Sequence, residues 1–579
     1  MDANLKVTTD QQESNYADIF GGDTSVVIPL FQRKYRWKKD NLDHLLRDIC
    51  EVRDQERESY FLGIVVSVQH TTQLGRPGFH EIVDGQQRLT SLYLLLLATA
   101  SIHCDELRFL QAADLIQTYL LRRRFQASPV NTKLVPSYSD RAQFRRCWDS
   151  VLVPKLTSLD TMEANPAILP QSAGEASGAL WSQFRYAKSK LRELTCGDPQ
   201  KLNQLVDIIA LRLSFVGIAL KDGSAASLIF ERLNNRAEPV TGADLVRNEV
   251  FARGAVDPEN ARRVFEEDWH PFQERLAQAG GDGLERLLFP YALTKVPSVK
   301  KGNAFTQLRT VWDGLEPQAI IRDIDQYSNT FLALETGRIA GISPDIDECL
   351  RRLHSVGKPR SIYPFVFLCI ADVARSTRPV GVVVDVLSRV ESFLFRRAIC
   401  GIEPTGLHAV FKSLHKDCCD APPDDFAQVV EQTIRSKPTV QWPGDSEFAE
   451  KVKTSNLYGR SIKKHAILEY ERTLGESNPD LQDVEHVCPV EFAAVPEWLR
   501  DFSDCPPGLI NTWANLLPLS EPMNRSLQNA PFEQKRSRYS NAMYASAREL
   551  AREFGTWTPS VIAVRADHLA RWALVRWPH

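Results

Sequence analysis

Short runs of hydrophobic residues alternate with helical periodicity over the first 100 residues of the chain. Residues 26–28, 62–68 and 80–83 are short and rich in β-branched or apolar side chains, which is typical of strands. The last of these runs leads through Gly85 into the apolar run 92–98, which has the character of a buried helix. The pattern therefore predicts an α/β arrangement for this part of the chain.

Helical periodicity dominates the residues that follow, with interruptions. Residues 101–146 are helical in pattern except for an extended stretch at 134–138, and residues 154–178 are rich in Pro, Ser, Ala and Gly, as surface loops are. The apolar segment 205–219 fits either a pair of buried strands or a helix followed by a strand. Residues 256–435 are helical in pattern almost throughout.

The length of the chain, 579 residues, exceeds what a single hydrophobic core usually serves. Proline-containing stretches at 422–423 and 438–445 mark a boundary near the end of the helical region. We therefore expect an α+β protein that is predominantly helical, with domains at residues 1–255, 256–435 and 436–579.

The composition is that of an ordinary globular protein, with 43% hydrophobic and 25% charged residues. A formal net charge of −3 provides no general basic field, so positive charge that binds DNA has to be local. Eleven cysteines without a Cys-x-x-Cys pair argue against structural zinc and favour a reducing, cytoplasmic compartment. The polar segment 1–18 does not resemble a signal peptide, and the apolar runs are too short to cross a membrane.

The segment from Glu81 to Thr90 carries the first candidate chemistry. A short strand ends at Asp84, and two amides and an arginine then occupy the first turn of the following helix. Gly85 lets a ligand approach the backbone closely, and the open N–H groups of a helix start suit a phosphate that Arg88 could also hold. The residues alone leave open the alternative of a plain structural turn.

Two further motifs precede this turn. A proline–aromatic–Gln-Arg–aromatic–Trp segment spans residues 29–37, and a Phe-x-Gly strand contains Phe61 and Gly63. Together with the Asp-Gly-Gln-Gln-Arg turn at residues 84–88, they resemble the N-terminal domain of the GmrSD-type family of modification-dependent restriction enzymes. The resemblance implies a ParB-like fold that binds and hydrolyses a nucleoside triphosphate, either GTP or another NTP.

The same resemblance indicates which residues form the nucleotide site. Asp84 and Arg88 are expected to act in hydrolysis. The expected nucleotide contacts are Gln32, Arg33, Tyr35, Trp37, Gly85, Gln86, Gln87 and Thr90.

A later pair of runs is also similar to the family. Residues 230–237 match a Phe-x-x-Leu-Asn-x-Arg-Gly pattern, with Ala237 in place of the glycine, and residues 244–248 match Asp-Leu-x-Arg-Asn. One interpretation is structural, with Asp244 capping the following helix. In the other interpretation, polar side chains complete a phosphate or base pocket, and these are Arg236, Arg247 and Asn248.

A third set of motifs lies in the last hundred residues. Residues 483–489 read Asp-Val-Glu-His-Val-Cys-Pro, residues 513–519 contain Asn-Leu, and an asparagine and a lysine follow downstream. This order resembles the ββα-metal (HNH) nuclease domain of the same family. The chain departs from the family pattern at Ala514, where glycine is usual, and at Cys488, where an aliphatic residue is common.

The resemblance also implies roles for these residues. Phosphodiester hydrolysis needs a base, a divalent ion and a group that orients the base. His486 would be the base and Asn515 its orienter, whereas Glu485 and Asn524 would hold Mg²⁺ or Mn²⁺ through oxygen. The expected DNA contacts are Arg525, Lys535 and Arg536. The alternative is that His486 is a packed structural residue.

These motifs predict an NTP-dependent or NTP-regulated DNA endonuclease of prokaryotic anti-phage defence, in which one chain fuses two parts. Its partners would be a nucleoside triphosphate and double-stranded DNA, modified phage DNA in particular, and the sequence is compatible with a homo-oligomer. Two alternatives stay open: a nucleotide-sensing DNA-binding regulator with a vestigial nuclease domain, and a toxin-like nuclease that nucleotide holds in check. No motif specifies the DNA modification or the preferred nucleotide.

Overall fold

The chain folds into two compact units. The computed structural model describes residues 9–20, 22, 25–29, 32–70, 78–122, 132–152, 175–220, 241–254, 260, 263–357, 360–475, 480–506 and 508–579. The first unit comprises Met1–Pro271 with Gly314–Ile321, and the second comprises Phe272–Asp313 with Arg322–His579. The division into three domains at residues 255 and 435 stays a prediction.

A six-stranded mixed sheet forms part of the first unit. Its strands are β1 (Thr9–Asn15), β2 (Ser25–Val27), β3 (Tyr60–His70), β4 (Phe79–Asp84), β5 (Leu134–Val135) and β6 (Leu213–Leu220). Their spatial order is β1-β6-β3-β4-β2-β5. The pairs β1–β6 and β3–β4 are antiparallel, whereas β3–β6, β2–β4 and β2–β5 are parallel.

Helices account for most of the described chain. Those that begin before residue 260 are α1 (Tyr16–Phe20), α2 (Lys39–Asp54), α3 (Gln86–Asp105), α4 (Phe109–Leu115), α5 (Arg141–Leu152), α6 (Ala179–Thr195), α7 (Pro199–Asp207) and α8 (Gly242–Gly254). The segments Ile116–Leu120, Ile208–Arg212 and Val264–Trp269 are π-helical. None of the described helices is long and apolar enough to cross a membrane.

The later helices continue the numbering. They are α9 (His270–Ala277), α10 (Gly283–Lys295), α11 (Ala304–Val311), α12 (Pro317–Asp325), α13 (Ser328–Thr336), α14 (Pro344–Ser355), α15 (Tyr363–Ala374), α16 (Val380–Cys400), α17 (Leu407–Phe411), α18 (Leu414–Cys418), α19 (Phe426–Ser436), α20 (Asp445–Thr454), α21 (Lys463–Thr473), α22 (Pro496–Phe502), α23 (Glu521–Leu527), α24 (Phe532–Tyr539), α25 (Ala545–Glu553) and α26 (Pro559–Arg576). Short 3₁₀ turns lie at Tyr138–Asp140, Lys301–Asn303, Arg360–Ile362, Pro423–Asp425, Phe492–Ala494, Leu509–Asn511 and Trp513–Asn515.

The structure confirms the α+β class and the helical dominance expected from the sequence. The predicted strands at 26–28, 62–68 and 80–83 are β2, β3 and β4. Segment 205–219 is the end of a helix, a π-helical turn and then β6, so the helix-and-strand alternative is the correct one. Most of the predicted loop 154–178 lies outside the described residues.

Helix α3 is buried along nearly all of its length. Its leucine-rich run is surrounded by the hydrophobic core of the first unit, because α4, α5 and α6 all pack against it. The helix therefore begins at a fixed place, directly after β4 and Gly85. That start carries the Asp-Gly-Gln-Gln-Arg turn.

In the second unit, the only sheet among the described residues is a two-stranded antiparallel hairpin. Strand β7 (Asp483–His486) pairs with β8 (Leu516–Leu519), and His486 lies opposite Leu516. The next two elements along the chain are α23 and α24, and α23 packs against β7. This hairpin carries the third set of motifs.

A buried ionic network joins four helices of the second unit: α14, α16, α21 and α26. Glu391, which is 1% exposed, accepts from Arg576 Nη2 at 2.7 Å and from Trp577 Nε1 at 2.9 Å. Arg352 Nε lies 3.2 Å from Glu391 Oε2, and His465 Nε2 lies 3.3 Å from Glu391 Oε1. The network therefore ties the end of α26 to the helices that precede the hairpin.

Candidate functional site

The turn between β4 and α3 has the backbone geometry that its sequence predicted. Gly85 has a φ of 92°, and a Cβ there would lie 3.0 Å from Val65 Cγ2, so both conformation and space favour glycine. No side chain caps the start of α3. The first N–H groups of the helix are consequently without a side-chain cap and suit an anion.

The segment at residues 32–37 packs directly against this turn. Gln32 Nε2 donates to Val83 O at 3.4 Å, and the Arg36 N–H donates to Gln87 Oε1 at 2.8 Å. The hydroxyls of Tyr35 and Ser91 lie 2.6 Å apart. Two motifs that are fifty residues apart in sequence therefore form one local structure.

Arg88 is held by the strand that carries the Phe-x-Gly motif. Its Nη1 donates to Leu62 O at 2.7 Å, and a Cβ at Gly63 would lie 2.1 Å from the same nitrogen. Burial lowers the pKa of the Arg88 guanidinium, while the nearby Asp84 carboxylate opposes that shift. Gly63, with a φ of 122°, leaves the space that Arg88 occupies.

Asp140 holds the segment at residues 32–37 in place through hydrogen bonds. Its Oδ2 accepts from the Tyr35 N–H at 2.7 Å and from Ser137 Oγ at 2.8 Å. Burial raises the pKa of this carboxyl to about 6, and the two hydrogen bonds oppose the increase. No sequence motif marked Asp140, although it follows the extended stretch at 134–138.

The remaining residues of the predicted nucleotide site occupy varied positions. Thr90 and Gln86 are buried, and among the described residues no group bonds to Gln86 Oε1. Trp37 packs against the core of the first unit, and Arg33 is half-buried. Arg247 is buried on α8 and pairs with Asp244, and Asn248 is half-buried on the same helix. Arg236 lies outside the described residues.

His486 ends β7 with its ring held on two sides. Its Nε2 lies 3.0 Å from Asn511 Oδ1, and the ring of Tyr458 lies 4.3 Å away, tilted by 53°. Burial lowers the pKa of His486, the bond to Asn511 raises it, and the charges of Lys535 and Lys463 add to the lowering. The net result favours a neutral imidazole.

Asn515 acts on the backbone beside His486 rather than on its ring. Its carbonyl accepts from Val487 N at 2.9 Å, and its side chain exchanges two 2.9 Å bonds with the backbone of Cys488. Trp557 Nε1 adds a bond of 3.0 Å to Asn515 Oδ1. The side chain that orients the imidazole is therefore Asn511, which the sequence did not mark.

Glu485 points into the interior and is paired. Lys535 Nζ donates to Glu485 Oε1 at 2.6 Å and to His486 O at 3.0 Å, and Tyr539 donates to the same carboxylate oxygen at 2.8 Å. The Lys535 side chain is 0% exposed. Burial lowers the pKa of Lys535, whereas the Glu485 carboxylate raises it. Lys535 thus occupies an interior position, which differs from the DNA-facing position expected of it.

Comparison with known families locates both sites within recognised domains. Residues 16–251 match the N-terminal domain of the GmrSD restriction endonuclease, and residues 442–572 match the C-terminal domain of GmrSD restriction endonucleases. The chain belongs to the GmrSD restriction endonuclease family. As a GmrSD family member, it is a restriction endonuclease whose substrate is DNA. No curated protein matches the sequence.

Three of the polar side chains on β7 and α23 carry oxygen atoms of the kind that binds a divalent ion. Asp483 and Glu485 share one face of β7, since residues two apart in a strand point the same way, but Glu485 Oε1 already accepts from Lys535 and Tyr539, which differs from the metal-ligand role expected of it. Asn524 Nδ2 donates to Asp483 Oδ2 at 2.8 Å, so an amide and a carboxylate are adjacent. This donor chemistry fits Mg²⁺ or Mn²⁺. Among the described residues, three or more His, Cys, Asp or Glu side chains do not cluster as a metal site.

Two arginines of the GmrSD C-terminal domain were expected to contact DNA. Arg525 on α23 is exposed and pairs with Glu521 on the same helix. Arg536 on α24 is half-buried and donates to Ala551 O at 2.8 Å. Arg525 therefore presents charge on the surface, whereas Arg536 has an internal bond.

Proposed function

We propose that this GmrSD family member is an NTP-regulated DNA endonuclease of prokaryotic anti-phage defence that acts on modified DNA. The observation that carries the nuclease assignment is the bond between His486 Nε2 and Asn511 Oδ1. An amide oxygen only accepts, so a neutral His486 donates its Nε2–H there and keeps the lone pair on Nδ1. A neutral, oriented imidazole is the state that a general base requires.

In this proposal His486 takes a proton from water through Nδ1, and the resulting hydroxide attacks the phosphorus of the scissile phosphodiester. The ester oxygen leaves with the electron pair of the broken P–O bond. Asn511 holds the imidazole during the transfer, while Asn515 and Lys535 hold the backbone on either side of it. A bound divalent ion, which Asp483 and Asn524 would hold, would stabilise the charge that develops on phosphate.

The order of elements in the second unit supports a ββα-metal nuclease domain. An antiparallel hairpin is followed by helices α23 and α24, and the proposed base lies at the end of the first strand. The alternative in which His486 is a packed core residue is less well supported, because its ring is only partly buried and borders an exposed tyrosine.

We also propose that the N-terminal domain is ParB-like and binds a nucleoside triphosphate, GTP or another NTP, where residues 32–37 meet the turn at 84–88. The support is the uncapped start of α3, the adjacent Arg88 and the unpartnered Gln86 Oε1 among the described residues. Hydrolysis would depend on Asp84 and Arg88. Regulation requires that the nucleotide bind two conformations with different affinity.

Plasmid nicking by the purified chain tests the nuclease assignment. With Mg²⁺, and with and without NTP, the wild-type chain should cut and His486→Ala should not, because general-base help is worth about 10²–10⁴-fold. The variant should still bind DNA and hydrolyse NTP. A regulator with a vestigial nuclease would leave the plasmid uncut under every condition. A toxin-like nuclease held in check by nucleotide would cut without NTP and lose activity when it is added.

The choice of DNA substrate requires a separate assay. Phage genomes with glucosylated cytosine, methylated cytosine, phosphorothioate backbone or no modification should be cleaved side by side under identical conditions. Preference for one modified genome supports the proposed defence role. Equal cleavage of all of them contradicts the part of the proposal that concerns modification.

A further inference from the structure

One side of His486 is lined by a turn that no sequence motif marked. The turn at residues 456–459 runs beside Asn511, since the N–H groups of Leu457 and Tyr458 donate to Asn511 O at 3.0 and 3.2 Å. An isolated bridge between Asn456 and Thr512 fixes the same pairing. This backbone contact places the Tyr458 ring against the imidazole of His486.

Tyr458 is unusual in being both packed and open to solvent. Its ring touches His486, yet the residue is 39% exposed. Lys463 lies over the ring with Nζ 4.2 Å from the centroid, and that nitrogen donates to Tyr458 O at 2.9 Å. Among the described residues, Tyr458 O is the acceptor that the structure gives to Lys463. Its other N–H donors are consequently available to a ligand.

An exposed aromatic ring and an ammonium group suit a DNA strand. The ring can stack on a base, and the ammonium can neutralise a phosphate and release its counterions. The predicted DNA contacts do not supply this chemistry beside His486, because Lys535 is buried against Glu485 and Arg525 pairs with Glu521.

We propose that Tyr458 and Lys463 form the DNA-strand contact of the nuclease site. The Tyr458 ring stacks on a nucleotide next to the cleaved bond, and Lys463 binds the adjoining phosphate. This inference rests on the proposed function, since it takes the group that His486 serves to be a phosphodiester.

The neighbouring lysine provides a matched control. Lys464 follows Lys463 on α21, but its Nζ lies 3.1 Å from Asp480, and both side chains are largely exposed. Each lysine can be replaced by methionine, which removes one charge and keeps a similar length. For Tyr458, phenylalanine keeps the ring and leucine removes it.

The experiment measures affinity for a duplex oligonucleotide by fluorescence anisotropy in a His486→Ala background, so that cleavage does not interfere. Lys463→Met should weaken binding and reduce the slope of log K against log salt by about 0.9, whereas Lys464→Met should leave the slope unchanged. With a single-stranded oligonucleotide, whose bases are free to stack, Tyr458→Leu should weaken binding roughly 5- to 100-fold, and Tyr458→Phe should retain it. Thermal melts establish that each variant is folded.

Crosslinking provides a measurement that needs no substitution at the surface. Irradiated bromodeoxyuridine DNA should crosslink to the Tyr458 peptide of the His486→Ala protein, as identified by mass spectrometry. Crosslinks confined to other peptides, or folded Lys463→Met and Tyr458→Leu proteins that bind as well as their parent, would overturn the inference. If the wild-type chain still cuts plasmid in that case, the proposed function stands. A His486→Ala chain that cuts normally overturns the proposed function instead.

Discussion

Replacing Glu391 by glutamine should destabilise the second unit by about 3 kcal/mol or more. The side chain is 1% exposed and contacts Arg576, Trp577, Arg352 and His465. Burial alone would raise the pKa of Glu391, but His465, Arg576 and Arg352 lower it from 4.5 to about 2. A difference of about 2.5 between the two pKa values corresponds to about 3 kcal/mol. Breaking one side of a buried ion pair costs a similar amount, about 3–5 kcal/mol.

The same pKa difference predicts how the stability changes with pH. A carboxyl whose pKa is lower in the folded state contributes its full stabilisation above its unfolded pKa, here near 4.5. That contribution is lost as the pH falls from 4.5 towards 2. The wild-type second unit should therefore lose stability over this interval, and Glu391→Gln should show a smaller loss there.

Differential scanning calorimetry at neutral pH measures the effect. Glu391→Gln should lower the melting temperature of the second unit by roughly 6–12 °C. The control is Asp480→Asn, which removes an exposed pair with Lys464 and should cost less than about 1 kcal/mol. Equal, small effects of the two substitutions would refute the reasoning, because Glu391 would then be no more important than a surface charge.

Three further predictions concern the two sites. Gly63→Ala should displace Arg88 and suppress NTP hydrolysis while plasmid cleavage without NTP is retained, and normal phosphate release would contradict it. Asn511→Ala should reduce cleavage by about 10- to 100-fold, part of the ~10²–10⁴ that general-base help is worth. A cleavage rate equal to that of wild type would remove Asn511 from the site. Chelation of divalent ions with EDTA should stop plasmid nicking, and added Mg²⁺ or Mn²⁺ should restore it, so cleavage that persists in EDTA would count against the proposed metal role of Asn524.

Local pattern was enough to predict much of the first unit. The β-branched runs, the Gly85 turn and the leucine-rich helix are determined by neighbouring residues, so strands β2 to β4 and helix α3 could be read directly. The family resemblance also predicted that residues 32–37 and 84–88 belong together, and their hydrogen bonds confirm that they are in contact.

Long-range contacts of the second unit could not be predicted in the same way. Asn511 and Tyr458 reach His486 through a backbone pairing between segments over fifty residues apart, and neither segment has a distinctive composition. The burial of Lys535 is different, because the sequence did contain a pattern that predicts it. Phe532, Lys535 and Tyr539 lie three and four residues apart, so they share the inward face of α24, where a charge needs an internal partner.

The attachment of α26 to Glu391 has a consequence for recombination between related chains. Residues 436–579 contain the hairpin and Arg576, whereas Glu391 and Arg352 precede them. A recombinant that joined this C-terminal piece to an unrelated helical region would lose Glu391, the shared partner of Arg576, Trp577 and His465, and would leave Arg576 with Glu469. Functional chimaeras should therefore require crossover points upstream of α14, so that the ionic network is inherited intact.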